Sequence, residues 1–219
     1  MPLEYASQTE KDVCERVHAR WIRAESSAPL VIMIHGRAGT AKVISAFSSS
    51  MPERSNLIAP QASLPDLDGF SWLDVNLRQD QAAAIIAAQS VLDFIYKALP
   101  LYELNPRSIY LLGFSQGAAL SSVLMQMRPD LFNGLVMLAG FAPELYVDAD
   151  ISALKLNHKK VLIAHGSRDQ VIPIQMADRS AEYLKQHGAE VTYHQDDVEH
   201  KIGVAGMRAL KAWTLTNIS

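Results

Sequence analysis

Short apolar runs that alternate with helix-like segments constrain the fold of this chain most strongly. Leu30–Ile34 is apolar at every position, which is typical of a strand buried on both faces of a sheet. Further strand-like runs lie at residues 56–59, 109–112, 134–139, 160–164 and 190–195, and an alternating run at residues 17–22 predicts an edge strand. Together these runs predict a sheet of about seven strands.

Helical patterns separate the strands. The longest covers residues 79–99, and others cover residues 116–127, 173–187 and 202–216, while residues 45–50 end a short helix. Strands that alternate with helices predict an α/β chain with a doubly wound, mostly parallel sheet, and we expect one domain over residues 1–219. Sites in such sheets lie at the carboxyl ends of the strands, so each functional group should directly follow a strand.

Composition excludes several classes of function. The chain has 219 residues and a net charge of −3 without a basic stripe, which argues against a nucleic-acid partner. No unbroken apolar run reaches about 18 residues and the N-terminus lacks the apolar core of a signal peptide, so we expect no membrane insertion. Cys14 is the only cysteine, which excludes a disulfide within the chain and fits the cytoplasm. We expect its side chain to be partly buried rather than reactive.

The pentapeptide Gly-Phe-Ser-Gln-Gly at residues 113–117 lies between a predicted strand and a predicted helix. Glycines two residues either side of Ser115 permit a sharp turn, because side chains there would collide with the strand and the helix. Such a turn exposes the Ser115 hydroxyl and directs the helix N-terminus toward it. The backbone N–H of Gln116 can then stabilise an oxyanion. The pentapeptide alone is a weak signal, and its flanking strand and helix strengthen it.

Two further groups follow strands and complete a catalytic hypothesis. Asp169 follows the run at residues 160–164, and His200 follows the run at residues 190–195. Ser115 needs a base to take its proton, and His200 is the predicted base and later the acid for the leaving group. Asp169 is predicted to hold the imidazole tautomer and to stabilise the imidazolium.

Other residues compete for these roles. His194 lies inside the last predicted strand, and His165 is better placed to shape the turn that carries Asp169. Asp196 and Asp197 compete with Asp169, but they lie on the loop that carries His200 itself. His18 lies on a predicted strand, His158 on a loop and His187 at a helix end. At these positions we expect the side chains to be solvated.

The loop at residues 35–40 follows the first buried strand and is rich in small residues. It can expose backbone N–H groups toward Ser115, so we predict an oxyanion hole formed by the N–H groups of Arg37 and Gln116. A simple strand-to-helix turn is the alternative. A phosphate-binding loop is disfavoured, because the loop lacks both the Gly-Lys-Ser/Thr ending and the G-x-G-x-x-G spacing.

With these motifs in place, the chain resembles the phospholipase/carboxylesterase family of α/β-hydrolases, which includes acyl-protein thioesterases and small bacterial carboxylesterases. The matching segments lie at residues 35–36, 59–62, 71–74, 113–117, 165–166, 169, 171–173 and 199–200. The resemblance implies an α/β-hydrolase fold and a serine esterase or thioesterase that acts on small-molecule acyl esters without a cofactor. We assign no metal site. It also implies that a large cap domain is absent, and residues 140–157 are too few to form one.

The chain departs from the family pattern in two places. Arg37-Ala38 replaces the Leu-Gly that often follows the first His-Gly, and Lys201 replaces the small residue common after the histidine in the thioesterase branch. These departures favour a serine carboxylesterase of small or medium acyl esters over an acyl-protein thioesterase or lysophospholipase. A dienelactone-hydrolase-like enzyme is a further alternative, although Ser115 stands where that family usually has cysteine. A catalytically inactive binding protein with a hydrolase fold is the last.

Substrate recognition is predicted in the loop at residues 61–76, which has neither a helical nor a strand period. Long irregular loops in compact domains are often binding loops, so we expect Trp72 and Leu73 to line an acyl pocket. The alternative for Trp72 is an anchor that packs the loop on the core. Phe114 either touches the pocket or packs inward. The Arg37 side chain either reaches an anionic part of the substrate or pairs with a nearby acid. For the oligomeric state, we expect a monomer or a homodimer.

Overall fold

The computed structural model describes residues 3–74, 80–145 and 155–219. Eight strands form one sheet in the order β1-β2-β4-β3-β7-β8-β9-β10. Their bounds are β1 Glu4–Tyr5, β2 His18–Trp21, β3 Leu30–Ile34, β4 Asn56–Pro60, β7 Ile109–Phe114, β8 Gly134–Leu138, β9 Lys160–Gly166 and β10 Glu190–Asp196. Strands β5 (Leu64–Asp66) and β6 (Gly69–Ser71) lie outside this sheet and form a separate two-stranded antiparallel hairpin.

The sheet is parallel from β4 to β10 and antiparallel where β2 joins β1 and β4. This confirms the predicted doubly wound, mostly parallel sheet. The prediction of an edge strand at residues 17–22 is wrong, because β1 pairs with the outer side of β2. A strand of only two residues carries no periodicity from which it could be predicted.

Helices cover both faces of the sheet. Their bounds are α1 Gln8–Cys14, α2 Ala41–Ile44, α3 Gln81–Leu101, α4 Gln116–Met127, α5 Ile174–Gln186 and α6 Val204–Asn217, and a 3-10 helix at Ser45–Ser50 follows α2. Buried side chains of α3, α4 and α5 share one apolar core, and those of α2 and α6 share the core on the opposite face. No large cap is present among the described residues.

Helix α3 is long and apolar enough, by length and composition, to cross a membrane, with a mean hydropathy of 1.4. This differs from the expectation based on the lack of a long unbroken apolar run in the sequence. In the structure its residues Ala84, Ala88, Val91 and Ile95 are fully buried in the core. Packing against the sheet and α4 therefore accounts for the composition, since a helix buried along much of its surface is apolar nearly all round.

For two side chains near the N-terminus, Cys14 and His18, the structure tests the exposure that the sequence predicted. Cys14 was expected to be partly buried and is almost completely buried, and this burial raises the pKa of its thiol. The prediction of a solvated His18 is wrong, because the residue is fully buried between Phe94 and Tyr102. Its Nδ1 lies 2.9 Å from the Arg16 carbonyl oxygen, and burial lowers its pKa. The ring helps to hold β2 against α3.

The loop at residues 61–76 also differs from its prediction. It contains the hairpin of β5 and β6, and Phe70 exchanges backbone hydrogen bonds with Gly39 in the loop after β3. The strands were missed because each has three residues, too few to establish a period. The last two residues of the predicted loop lie outside the described residues.

Candidate active site

Ser115 lies between β7 and α4 in a backbone conformation that L-residues rarely adopt, with φ +53° and ψ −119°. Close packing on both sides maintains this conformation. A Cβ on Gly113 would lie 2.2 Å from the Gly117 carbonyl oxygen, and one on Gly117 would lie 2.1 Å from the Ile34 carbonyl oxygen. Only glycine fits either position, so the chain turns sharply there and presents Ser115 at the N-terminus of α4.

The imidazole of His200 bridges Ser115 and Asp169. Its Nε2 lies 2.9 Å from the Ser115 Oγ, and its Nδ1 lies 2.7 Å from the Asp169 Oδ2. In the neutral tautomer that these contacts favour, Nδ1–H donates to the carboxylate and Nε2 accepts the hydroxyl proton. The three residues follow β7, β9 and β10, so neighbouring parallel strands bring them together at one edge of the sheet.

The Asp169 carboxylate is fully buried and held from several sides. Its Oδ1 accepts hydrogen bonds from the backbone N–H groups of Val171 and Ile172, both at 2.8 Å. His165 is also buried, with its Nε2 2.8 Å from the Ile172 carbonyl oxygen and 3.4 Å from the Asp169 Oδ2. His165 therefore packs under the turn that carries Asp169.

The loops that carry Asp169 and His200 are bound to each other. The backbone N–H groups of Ser167 and Arg168 donate to the carbonyl oxygens of Asp196 and Val198, at 2.8 and 3.0 Å. A Cβ on Gly166 would lie 2.3 Å from the Glu199 carbonyl oxygen, so the loops touch backbone to backbone. The separation of acid and base is thus fixed by the main chain.

The competing acids and histidines lie elsewhere. Asp197 pairs with Arg168 on the surface, and Asp196 accepts a hydrogen bond from the Gly206 N–H in the first turn of α6. His194 lies 3.6 Å from the Asp196 carboxylate. These contacts are those of structural groups on the loop and the last strand.

The loop after β3 begins with a fully buried histidine. The Nε2 of His35 accepts a hydrogen bond from the Ala62 N–H at 3.0 Å, so its Nδ1 carries the proton and donates to the Gly36 carbonyl oxygen at 2.7 Å. Burial lowers the pKa of His35 to about 4, which keeps the ring neutral. The ring fixes the start of the loop in which Arg37 is the predicted oxyanion donor.

The backbone around Arg37 turns toward the sharp turn at residues 113–117 that carries Ser115, which we call the elbow. The Gly39 N–H donates to the Gly36 carbonyl oxygen at 3.1 Å, and a Cβ on Gly36 would lie 3.3 Å from the Ser115 Cβ. Gln116 is the first residue of α4, so its N–H has no carbonyl partner within the helix. The two N–H groups of the predicted oxyanion hole thus belong to segments that meet beside Ser115, and their role stays a prediction.

The side chain of Gln116 has a structural function that the sequence did not suggest. Its Oε1 accepts from the Trp72 N–H at 2.9 Å, and its Nε2 donates to the Leu73 carbonyl oxygen at 3.2 Å. Trp72 in turn donates its indole N–H to the His35 carbonyl oxygen at 2.7 Å. Trp72 therefore connects the turn at Ser115 to the loop after β3.

Trp72 and Leu73 are buried in the core, with 6% and 7% of their surface exposed. The Arg16 guanidinium stacks on the indole, 5.4 Å from the ring centroid, and donates to the Gln61 carbonyl oxygen. These contacts are those of the alternative in which Trp72 anchors the loop. The structure does not bring either residue to the cavity described next.

An apolar cavity of about 360 Å³ opens beside the elbow. Phe114 lies on its wall, stacked on Phe47 with ring centroids 6.2 Å apart and packed against His200 at 5.3 Å. The other lining residues come from the loop after β3, from α2 and its 3-10 extension, and from the segment after His200. The sequence did not predict this cavity, because its lining residues come from separate segments and no local pattern joins them.

The Arg37 side chain is 70% exposed and pairs with Asp66, with its Nε 2.8 Å from the carboxylate Oδ2. The same Oδ2 accepts from the Ser71 hydroxyl, and the Ser71 Oγ accepts from the Ala38 N–H. The Arg37–Asp66 pair therefore links the hairpin to the loop after β3, and pairing with a nearby acid is one of the two roles that the sequence left open. In the described parts of the chain, no group of His, Cys, Asp or Glu side chains could hold a metal ion.

A serine on a strained elbow, a histidine on its hydroxyl and a buried carboxylate behind the histidine define the arrangement of an α/β-hydrolase. The model of the phospholipase/carboxylesterase family matches residues 21–218, and the chain belongs to that family.

Curated relatives are distant. The chain is 23% identical to the carboxylesterase SOBER1 of Arabidopsis thaliana over 65% of its length and 66% of the relative. It is 27% identical to an acyl-protein thioesterase 1 of Kluyveromyces lactis over 60% of its length and 56% of the relative. A probable inactive carboxylesterase of Oryza sativa is 25% identical over 75% of this chain and 76% of that one. The first two matches thus span between about half and two thirds of those relatives.

Solved structures share the fold. A carboxylesterase of Bacillus cereus superposes with a TM-score of 0.85 over 95% of this chain and 98% of that chain, at 16% identity. At this identity the likeness establishes the fold alone.

Proposed function

We propose that this protein is a serine carboxylesterase that hydrolyses small or medium acyl esters through an acyl-enzyme. The observation that carries the proposal is the continuous hydrogen-bonded series from the Ser115 hydroxyl through His200 to the buried Asp169, with distances of 2.9 and 2.7 Å. Family membership supports it. One relative bears the name of an inactive enzyme, so catalysis by this chain needs its own test.

The geometry suggests the order of events. His200 takes the Ser115 proton through Nε2 as Oγ attacks the ester carbonyl, and the negative oxygen turns toward the N–H groups of Arg37 and Gln116. Asp169 stabilises the imidazolium through Nδ1. His200 then gives the proton to the leaving oxygen, the alcohol departs, and a water activated by the same ring hydrolyses the acyl-serine.

Burst kinetics and covalent labelling test the proposal. With p-nitrophenyl acetate we expect a burst of one nitrophenolate per chain, and a fluorophosphonate should label Ser115. The Ser115→Ala variant should lose labelling and about 10⁴- to 10⁶-fold in kcat. Ser26→Ala, at an exposed serine, is the matched control and should behave as the unmodified protein. Labelling at a residue other than Ser115 would refute the assignment.

A thioesterase is the second candidate, favoured by the similarity to an acyl-protein thioesterase. The same oxyanion and acyl-enzyme serve oxygen and sulfur esters, so the two activities differ only in the leaving group. Pairs of oxygen and sulfur esters with one acyl group separate them. The departures at Arg37 and Lys201 favour small oxygen esters.

We further propose that residues 1–219 form one domain and that the protein acts in the cytoplasm, where its single thiol stays reduced.

A further inference from the structure

The reaction steps proposed above do not involve the apolar cavity beside the elbow. Its walls come from four segments, which are the loop after β3, the short helix α2 with its 3-10 extension, the end of β7, and the segment that leads from His200 into α6. The lining residues used below are Gly36, Val43, Phe47, Phe114, Ile202 and Met207. A volume of about 360 Å³ lies within the range of small-molecule sites, and such sites are lined mainly by apolar side chains.

The cavity reaches the nucleophile. Gly36 lines it, and a Cβ on Gly36 would lie 3.3 Å from the Ser115 Cβ and 3.1 Å from the Phe114 Cδ1. Phe114 itself packs on the His200 ring. A group attached to a carbon at the Ser115 Oγ can therefore enter the cavity.

The position of the cavity decides which half of an ester enters it. His200 must give its proton to the leaving atom, so that atom lies on the imidazole side of the tetrahedral carbon. Lys201 and Ile202 follow His200 directly and line the cavity, as does the phenyl ring that touches the imidazole. The cavity thus lies on the leaving-group side, and the acyl group must point away from it.

We propose that this cavity binds the leaving-group half of the ester, a compact apolar alcohol or thiol that carries an anionic group within reach of Lys201. The inference rests on the proposed function.

Lys201 supplies the charge selectivity. Among the described residues that line the cavity it is the only one with a permanent charge, and its side chain is exposed. In the described parts of the chain it forms no ion pair, in contrast to Arg37, which is paired with Asp66. An ammonium group at the rim of an apolar cavity favours a ligand with an apolar body and a carboxylate or phosphate end.

The first experiment varies each half of the ester separately. One series keeps the acetyl group and lengthens the alcohol from methyl to hexyl, and the other keeps methanol and lengthens the acyl chain. Ala46→Trp fills the rim, since Ala46 is an exposed lining residue, whereas Met207→Ala enlarges the cavity. Ile86→Trp, at an exposed position on α3 on the opposite face of the sheet, is the matched control.

In the alcohol series we expect Ala46→Trp to lower kcat/KM for the longest alcohol about 10- to 200-fold relative to methyl acetate. Met207→Ala should shift the preference toward longer alcohols. Neither variant should change the ratios in the acyl series, and the steady-state rate after a p-nitrophenyl acetate burst should stay the same. This last rate reports deacylation, when the alcohol has already left.

The opposite pattern would overturn the assignment. If Ala46→Trp changes the acyl series and the deacylation rate but not the alcohol series, the cavity binds the acyl half. If it changes neither series, the cavity is no substrate site. Absence of a burst in the unmodified protein would instead refute the proposed function, so the two failures are distinguishable.

The second experiment tests the charge. We compare acetyl esters of 6-hydroxyhexanoate and of hexanol, which differ in a terminal carboxylate. Lys201→Met should lower kcat/KM for the anionic ester about two- to fivefold and leave the neutral ester unchanged, as expected for one solvent-exposed ion pair. Lys201→Glu should lower kcat/KM for the anionic ester further. Equal effects on both esters would overturn the role of Lys201.

Discussion

The catalytic candidates at the strand ends lie beside the loop that connects β4 to α3. The two regions differ in what determines the positions of their side chains. Ser115, Asp169 and His200 each follow a parallel strand, so the backbone of the sheet decides where they lie. Trp72 and Leu73 lie on a loop, and their direction depends on contacts with Gln116, His35 and Arg16. Strand order in the sequence therefore predicts the first group well and says little about the second.

The two regions are nonetheless mechanically connected. Trp72 donates to the His35 carbonyl oxygen through its indole and to the Gln116 side chain through its backbone. Both partners belong to segments predicted to hold the oxyanion. The loop thus supports the segments around the strand-end groups. We expect variants of the strand-end groups to lower kcat and variants of the loop to lower the free energy of unfolding.

The largest effect is expected at the strand ends. Asp169→Asn keeps the size of the side chain but removes the acceptor that fixes the His200 tautomer, so kcat should fall about 10⁴-fold. Asp197→Asn, on the exposed loop beside it, is the matched control and should change kcat by less than about threefold, as expected for a surface ion pair. Steady-state kinetics with a short-chain ester measures both. Equal losses in the two variants would contradict the assignment of the acid.

Removal of the indole N–H tests the anchor role of Trp72. Trp72→Phe leaves the buried His35 carbonyl oxygen without its donor, which should lower the free energy of unfolding by about 1–3 kcal/mol. Trp21→Phe, at an equally buried tryptophan on β2, is the control for lost packing alone. Urea unfolding gives both values. Unchanged stability together with a shifted acyl-length preference would support the acyl-pocket role of Trp72 instead.

A somewhat smaller and pH-dependent effect is expected at His35. Burial lowers its pKa to about 4, from an unfolded value near 6.5, so the unfolded chain takes up a proton first as the pH falls. Its contribution to stability is therefore complete above pH 6.5 and is lost between about pH 6.5 and 4. Between pH 7.5 and 5 the loss should be about 2 kcal/mol.

His35→Gln keeps an acceptor for the Ala62 N–H without a group that titrates in this range. Its free energy of unfolding, measured by urea denaturation, should vary less between the two pH values than that of the unmodified protein. His18, whose pKa burial also lowers, is present in both proteins and cancels in the difference. Identical pH dependence would show that His35 binds no fewer protons in the folded state than in the unfolded one.

The sequence predicted the features that follow from strand order and backbone sterics. Apolar runs located the central strands, and glycines at positions 113 and 117 located the sharp turn that only glycine permits. It could not predict that β1 covers β2, that His18 is buried, or that the loop at residues 61–76 forms a hairpin. Each of these depends on a few long-range contacts, which a local pattern does not encode. The roles of the site residues stay predictions until activity is measured.

The smallest effect is expected at Arg37, where the two regions meet at the surface. The Arg37 guanidinium pairs with Asp66, but its side chain is 70% exposed, so Arg37→Ala should lower the free energy of unfolding by at most about 1 kcal/mol. The predicted oxyanion donor is the backbone N–H, which the substitution retains, so kcat/KM for a neutral ester should be nearly unchanged. Esters with an acyl-side carboxylate should respond in the same way, because Asp66 already occupies the guanidinium. A selective loss on the anionic ester would mean that Arg37 exchanges Asp66 for the substrate, and the loop would then recognise substrate as well as support the strand ends.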